Sequence, residues 1–145
     1  MAVLEELYQE VILEHSRNPR NFGPLENADR TAVGYNASCG DDIQVHLKFS
    51  GDWLSSVHFT GEGCAISKAS ASLMVGAVEG LKISTARIFV RHVIDVISGR
   101  NTEPVTEESL GSCAVLLGVR RFPMRIKCAT LAWHALETAL KENNT

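Results

Sequence analysis

Hydrophobic positions along the chain change their period twice. Leu4, Leu7, Tyr8, Val11, Ile12 and His15 recur at the i, i+3, i+4, i+7 spacing of one helical face. Arg17-Asn18-Pro19 ends that helix, because the residue before a proline avoids helical angles. A loop with Pro19, Gly23 and Pro24 follows, and residues 30–36 predict a first strand. The period then becomes two. Ile43, Val45, Leu47 and Phe49 alternate with Gln44, His46 and Lys48. After Ser50-Gly51-Asp52, which is turn chemistry, Trp53, Val57 and Phe59 alternate with Ser56, His58 and Thr60. The pattern predicts an antiparallel hairpin with one apolar and one polar face.

Beyond "GEGC" the pattern is helical. Small residues from Ala65 to Val78 predict a tightly packed helix, closed by Gly80. Ser84 is read as the cap of a second helix running to Ser98, with Gly99 as its stop. Thr106 followed by Glu107 and Glu108 reads as the cap and acidic first turn of a third, stopped by Gly118. Pro123 precedes a last helix ending near Lys141, with Ala129, Ala132, Trp133, Leu136 and Leu140 on one face. Strands followed by a run of helices predict an α+β fold, helices packed on one face of a small sheet. With no repeats or low-complexity tract, residues 1–145 are expected to form a single domain.

Composition narrows the function classes. A net charge of −3 argues against nucleic acid as the main partner, since phosphate binders usually carry a strong basic patch. The start "MAVLEELYQE" has acidic residues where a signal peptide has basic ones. No apolar run is long enough to span a bilayer. The expectation is a cytoplasmic protein with reduced thiols. Its 4 cysteines are then metal ligands, reactive thiols or buried apolar residues before they are disulfides.

The four contexts differ. Cys113, in "SLGSCAVLLG", shares a helical face with Leu110, Ala114 and Leu117 and is assigned to packing. Cys64 follows two glycines, in "TGEGC", at a helix start, where orphan N–H groups and the helix dipole stabilise an anion. Cys128 lies in the first turns of the last helix, with Arg125 and Lys127 close in sequence. Cys39 sits in "NASCGDD", on a loop with Gly40 as pivot, two residues before Asp41. Three thiolates and one carboxylate make a tetrahedral zinc set. Asp42 is the rival carboxylate; Asp41 is preferred because Asp42 adjoins Ile43 inside the strand. The histidines compete poorly: His46 and His58 fall on polar strand faces, His15 on a core face, His92 in an apolar helix, and His134 six positions beyond Cys128.

The set "LYQEVILEHSRNPRNFG", "CGDDI", "GEGCAISKASASLM" and "GVRRFPMRIKCATLAWHAL" resembles the U-type iron–sulfur assembly proteins, and within them the zinc-containing SufU branch. The resemblance runs from the first helix to the last. It implies a three-stranded antiparallel sheet and a zinc site at Cys39, Asp41, Cys64 and Cys128. It also implies that the chain accepts persulfide sulfur from a PLP-dependent cysteine desulfurase of the SufS type and passes it toward a downstream iron–sulfur scaffold. Cys39 is the expected acceptor, with Asp41, Arg125 and Lys127 as further catalytic candidates. Lys127 stands where scaffold-type members usually carry histidine, and the lead-in "GVRRFPMRIK" looks like the SufU insertion. Ala37 replaces the usual proline of the loop. Two other readings stay open: an IscU-like scaffold holding iron or a [2Fe–2S] cluster on the same residues, and a binding module with a purely structural zinc.

Overall fold

The computed structural model describes residues 2–38, 40–100 and 107–142, with side chains for 9–38, 40–100 and 109–141. Its elements run α1 (Ala2–Arg17), β1 (Arg30–Asn36), β2 (Asp41–Ser50), β3 (Trp53–Glu62), α2 (Ala65–Val78), α3 (Ile83–Ile97), α4 (Glu107–Leu110), a 3₁₀ segment (Gly111–Arg121) and α5 (Pro123–Glu142). The fold is α+β, with helices packed on one face of a three-stranded antiparallel sheet ordered β1-β2-β3.

Strand alternation sets the core. Ala32, Ile43, Val45, Leu47, Leu54, Val57 and Phe59 point toward the helices and are buried. α5 lies across this face with Ala129, Ala132, Trp133, Leu136 and Leu140 all buried. It approaches β1 closely at Gly34, where an added Cβ would meet the Leu131 carbonyl oxygen at 2.9 Å. The outer edge of β3 is covered at both ends. Asn21 and Gly23 bond to Phe59 on one side, and Gly80 and Leu81 bond to Leu54 on the other. Covering an edge in this way removes a template for stray strand pairing.

Four details depart from the sequence pattern. Leu54 rather than Trp53 points inward, and Trp53 is half exposed beneath the Lys82 ammonium. A register shift at Lys48/Phe49, where Phe49 pairs Leu54 and Lys48 pairs Ser56, leaves Ser55 as the extra residue. Such a bulge reverses the in–out alternation on one side of it. α3 begins at Ile83 after Lys82, which makes no side-chain capping bond, so Ser84 is an exposed residue of the first turn and not the cap. The third helix is four α-helical residues followed by the 3₁₀ segment, and Gly118 lies within that segment instead of ending it. There Leu110, Cys113, Leu116 and Val119 are buried at intervals of three, the repeat at which 3₁₀ side chains eclipse. Finally, Pro123 is the first residue of α5, where its missing N–H costs no bond. The expected cap Thr106, and the side chains of Leu4, Leu7, Tyr8, Glu107 and Glu108, lie outside the described residues.

Candidate metal centre

Asp41 opens β2 opposite Asn36. Strand parity turns its side chain inward, where it is 1% exposed, and turns Asp42 outward to solvent. Cys64 sits where β3 hands over to α2. The chain makes that corner through Gly61 at φ +115, where a Cβ would fall 2.0 Å from the Asp42 carbonyl oxygen. Only glycine fits such a position. Cys64 then has extended angles and caps α2 with its own sulfur, which accepts the Ser67 N–H at 3.5 Å. Cys128 lies in the second turn of α5 and is 7% exposed.

The three side chains converge. One donor atom each from Asp41, Cys64 and Cys128 lies within 4.8 Å of the others. Asp41 Oδ1 accepts the Cys64 N–H at 2.9 Å, and Cys64 Sγ lies 3.8 Å from Asp41 Oδ2. The Ser67 hydroxyl donates to that same Oδ2 at 2.5 Å. A tetrahedral zinc with Zn–S near ~2.3 Å sets sulfur–sulfur edges of about 3.8 Å. The cluster therefore fits a small, thiolate-loving cation after closing by an ångström or less. Two sulfurs and a carboxylate also suit zinc and iron better than calcium or magnesium, which prefer oxygen alone.

The structure brings together Asp41, Cys64 and Cys128 from the residues singled out in the sequence. Cys39 lies outside the described residues. It is separated from Asp41 by Gly40 alone, which is exposed at φ +72 and donates its N–H to Asn36 O at 2.8 Å. Arg125 and Lys127 are exposed, and the Arg125 guanidinium stacks 4.4 Å from the Phe122 ring centroid. Cys113 stands apart from the cluster. It is buried against the 3₁₀ segment's partners, with its sulfur 3.8 Å from Leu73 O, and burial pushes its thiol up to about 12. No histidine joins the cluster among the described residues. His15 bonds Ser72 Oγ at 2.7 Å, His46 bridges Thr31 and Thr60, His58 bonds Pro24 O, and His92 bonds Ser109. His134 is exposed. Ser67 is the residue that sequence reasoning missed. The available signal was its place three positions after a helix-capping cysteine, where an N-terminal side chain can hold an anion.

The profile of the NifU-like N-terminal domain matches residues 7–129. The chain is 43% identical over 136 residues to the zinc-dependent sulfurtransferase SufU of Bacillus subtilis (strain 168), covering 94% of this chain and 90% of that one. It is 36% identical over 143 residues to the iron–sulfur cluster assembly scaffold protein IscU of Streptococcus pyogenes serotype M1, covering 99% and 88%. Among solved structures, FiSufU of the SUF system from Fervidobacterium islandicum AW-1 superposes with a TM-score of 0.83 at 34% identity, over 90% of this chain and 94% of that one.

Proposed function

Because the chain belongs to the NifU-like N-terminal domain family, we propose that it serves iron–sulfur cluster biogenesis as a zinc-dependent persulfide acceptor, relaying sulfur from a cysteine desulfurase. The observation that carries this reading is the convergence of Asp41, Cys64 and Cys128 in a chain 43% identical to a zinc-dependent sulfurtransferase. These three residues, joined by Cys39, would hold the ion. Bound zinc would supply charge that keeps its thiolate ligands deprotonated, without redox chemistry of its own.

The remaining chemistry belongs to the chain. The Cys39 thiolate attacks the terminal sulfur of the desulfurase persulfide. A new S–S bond forms on Cys39, the donor's S–S bond breaks, and the donor cysteine leaves as thiolate. The exchange is redox-neutral, and its rate depends on thiolate fraction and access. Asp41 sits rigidly at the strand start, one glycine from the acceptor. Arg125 and Lys127, exposed on the first turns of α5 beside Cys128, attract the anionic persulfide. The donor is a PLP-dependent desulfurase of the SufS type, the sulfur passes on to a downstream iron–sulfur scaffold, and the setting is the cytoplasm. The elements share one hydrophobic core, which supports reading residues 1–145 as one domain.

A second reading, assembly of a [2Fe–2S] cluster on the same residues, is favoured by the 36% identity to a scaffold protein. Metal analysis with a visible spectrum separates the two: stoichiometric colourless zinc belongs to the relay, charge-transfer bands to the scaffold. The deciding experiment incubates zinc-loaded protein with desulfurase and cysteine and locates added sulfur by peptide mass spectrometry. The relay puts it on the Cys39 peptide, and Cys39→Ala abolishes it. Sulfur on the Cys128 peptide alone points to scaffold-like entry. Sulfur on no cysteine leaves a purely structural zinc.

A further inference from the structure

Both oxygens of the buried Asp41 carboxylate are held by the first turn of α2. Oδ1 takes the Cys64 N–H at 2.9 Å and Oδ2 takes the Ser67 hydroxyl at 2.5 Å. Ser67 also reaches the neighbouring sulfur: its N–H donates to Cys64 Sγ at 3.5 Å, and its Oγ lies 3.5 Å from that atom. Ser67 is 1% exposed, and Gly63 beside it leaves room for the contact, since a Cβ there would meet Ser67 Cβ at 3.0 Å and Asp41 Oδ1 at 3.2 Å. The bonds of the buried hydroxyl are thus to the Asp41 carboxylate and the Cys64 sulfur. One residue thus touches two members of the cluster, through its backbone to the thiol and through its side chain to the carboxylate.

We propose that Ser67 is a positioning residue for the metal centre: its hydroxyl fixes the Asp41 carboxylate in the orientation that faces Cys64 and Cys128. The inference rests on the zinc reading above and extends it to a residue outside the ligand set. The physical reason is orientational. A free carboxylate rotates broadly about its last torsion, and binding must freeze that rotation each time. A short hydrogen bond from a fixed serine freezes it in advance. Groups that orient metal ligands in this way typically change affinity by about 10–100-fold when removed. Ser67 belongs to α2 and Asp41 opens β2, so the bond ties the start of that strand to the start of that helix.

The test is zinc affinity by competition with a chromophoric chelator, together with the cobalt(II) spectrum of the substituted protein. Ser67→Ala keeps the N–H that the capping Cys64 sulfur accepts and removes only the hydroxyl. The expected result is a 10–100-fold loss of zinc affinity, a changed cobalt d–d envelope, and an unchanged far-ultraviolet dichroism spectrum. Because Ser67 acts through Asp41, the loss disappears in an Asp41→Ala background, where Ser67→Ala has no further effect. Ser67→Thr, which retains the hydroxyl, restores affinity to within a few-fold. Unchanged affinity in Ser67→Ala, or an equal loss in both backgrounds, overturns the proposal while leaving the zinc reading intact. Failure of the wild-type protein to bind zinc at all sinks the zinc reading first. If Ser67→Ala fails to fold, the Ser67→Thr and Ser67→Val affinities decide, since Val has the shape of Thr without its hydroxyl. Thr near wild type with Val impaired is the expected order, and equal affinities overturn the assignment.

Discussion

Two buried cysteines of the described chain have opposite fates when replaced. Cys113 is packed in the hydrophobic core with its sulfur 3.8 Å from Leu73 O, and it stands apart from the candidate metal cluster. Cys113→Ser should keep full zinc stoichiometry while stability falls by about 1–3 kcal/mol from the buried hydroxyl. Cys128→Ser should lose zinc, as should Cys64→Ser. Equal metal loss in the Cys113 variant, measured by elemental analysis, would defeat the assignment. His15 supplies a pH test. Burial, and then the charge of Arg20, hold its imidazole below the ordinary value of 6.5, with Glu14 opposing. The unfolded chain therefore takes up the proton first. Stability from neutral His15 is complete above about pH 6.5 and is lost as pH falls toward the lower folded-state value. Urea midpoints of the metal-free protein should drop between about pH 7.5 and 5.5 more steeply in wild type than in His15→Gln. Parallel slopes would remove His15 as a cause. At this scale part was legible: the alternation through Ile43 and Val45 places Asp41 inward and Asp42 outward, and the burial of Cys113 was identifiable from its apolar helical neighbours. Ser67 was not, because a serine in a small-residue helix looks like packing, and its partner lies 26 positions away.

Among the elements, the corner between β3 and α2 is the most demanding. Gly61 combines a left-handed φ with a backbone oxygen 2.0 Å from any added Cβ, whereas Gly40 has φ +72 but open space around it. Gly40→Ala should therefore cost only the conformational strain, about 1–2 kcal/mol. Gly61→Ala should cost at least about 3 kcal/mol, since strain and clash add. Thermal denaturation of the two variants side by side would check the order, and equal costs would contradict it. The 3₁₀ segment explains why the third helix was misread. Leu110, Cys113, Leu116 and Val119 at intervals of three are close enough to a helical face that a short window does not separate periods of 3.0 and 3.6. The bulge at Ser55 was equally hidden, because Leu54 adjoins Trp53 and either could carry the alternation. By contrast, the sheet, α2 and the apolar face of α5 were plain, since long periodic runs fix element type better than element ends.

Over the whole molecule, the proposed metal site would link metal to fold. The candidate ligand side chains come from the start of β2, the start of α2 and the second turn of α5, so an unfolded chain offers no such site. An ion bound by the native state alone adds its binding free energy to folding, roughly 2.7 kcal/mol at a hundredfold excess over Kd. Chelation should then lower the melting temperature by about 5–10 °C, and acid should do likewise as the thiolates protonate. An unchanged melting curve after verified zinc removal would contradict the link. The position of α5 has a further consequence, in the order of synthesis. The sheet is complete at Glu62, yet α5, the helix that covers the β1–β2 part of its apolar face, begins at Pro123, about 60 residues later. At ribosomal speeds of roughly 5–20 residues per second, that part of the face waits about 3–12 s for its cover. During that interval Ile43, Val45 and Leu47 on β2 lack the helix that packs against them in the finished fold, whereas Val57 and Phe59 on β3 meet α2, which follows at once. Until α5 emerges that strip of the sheet stays uncovered, and the same helix then completes the core and brings in Cys128, the third member of the candidate metal cluster.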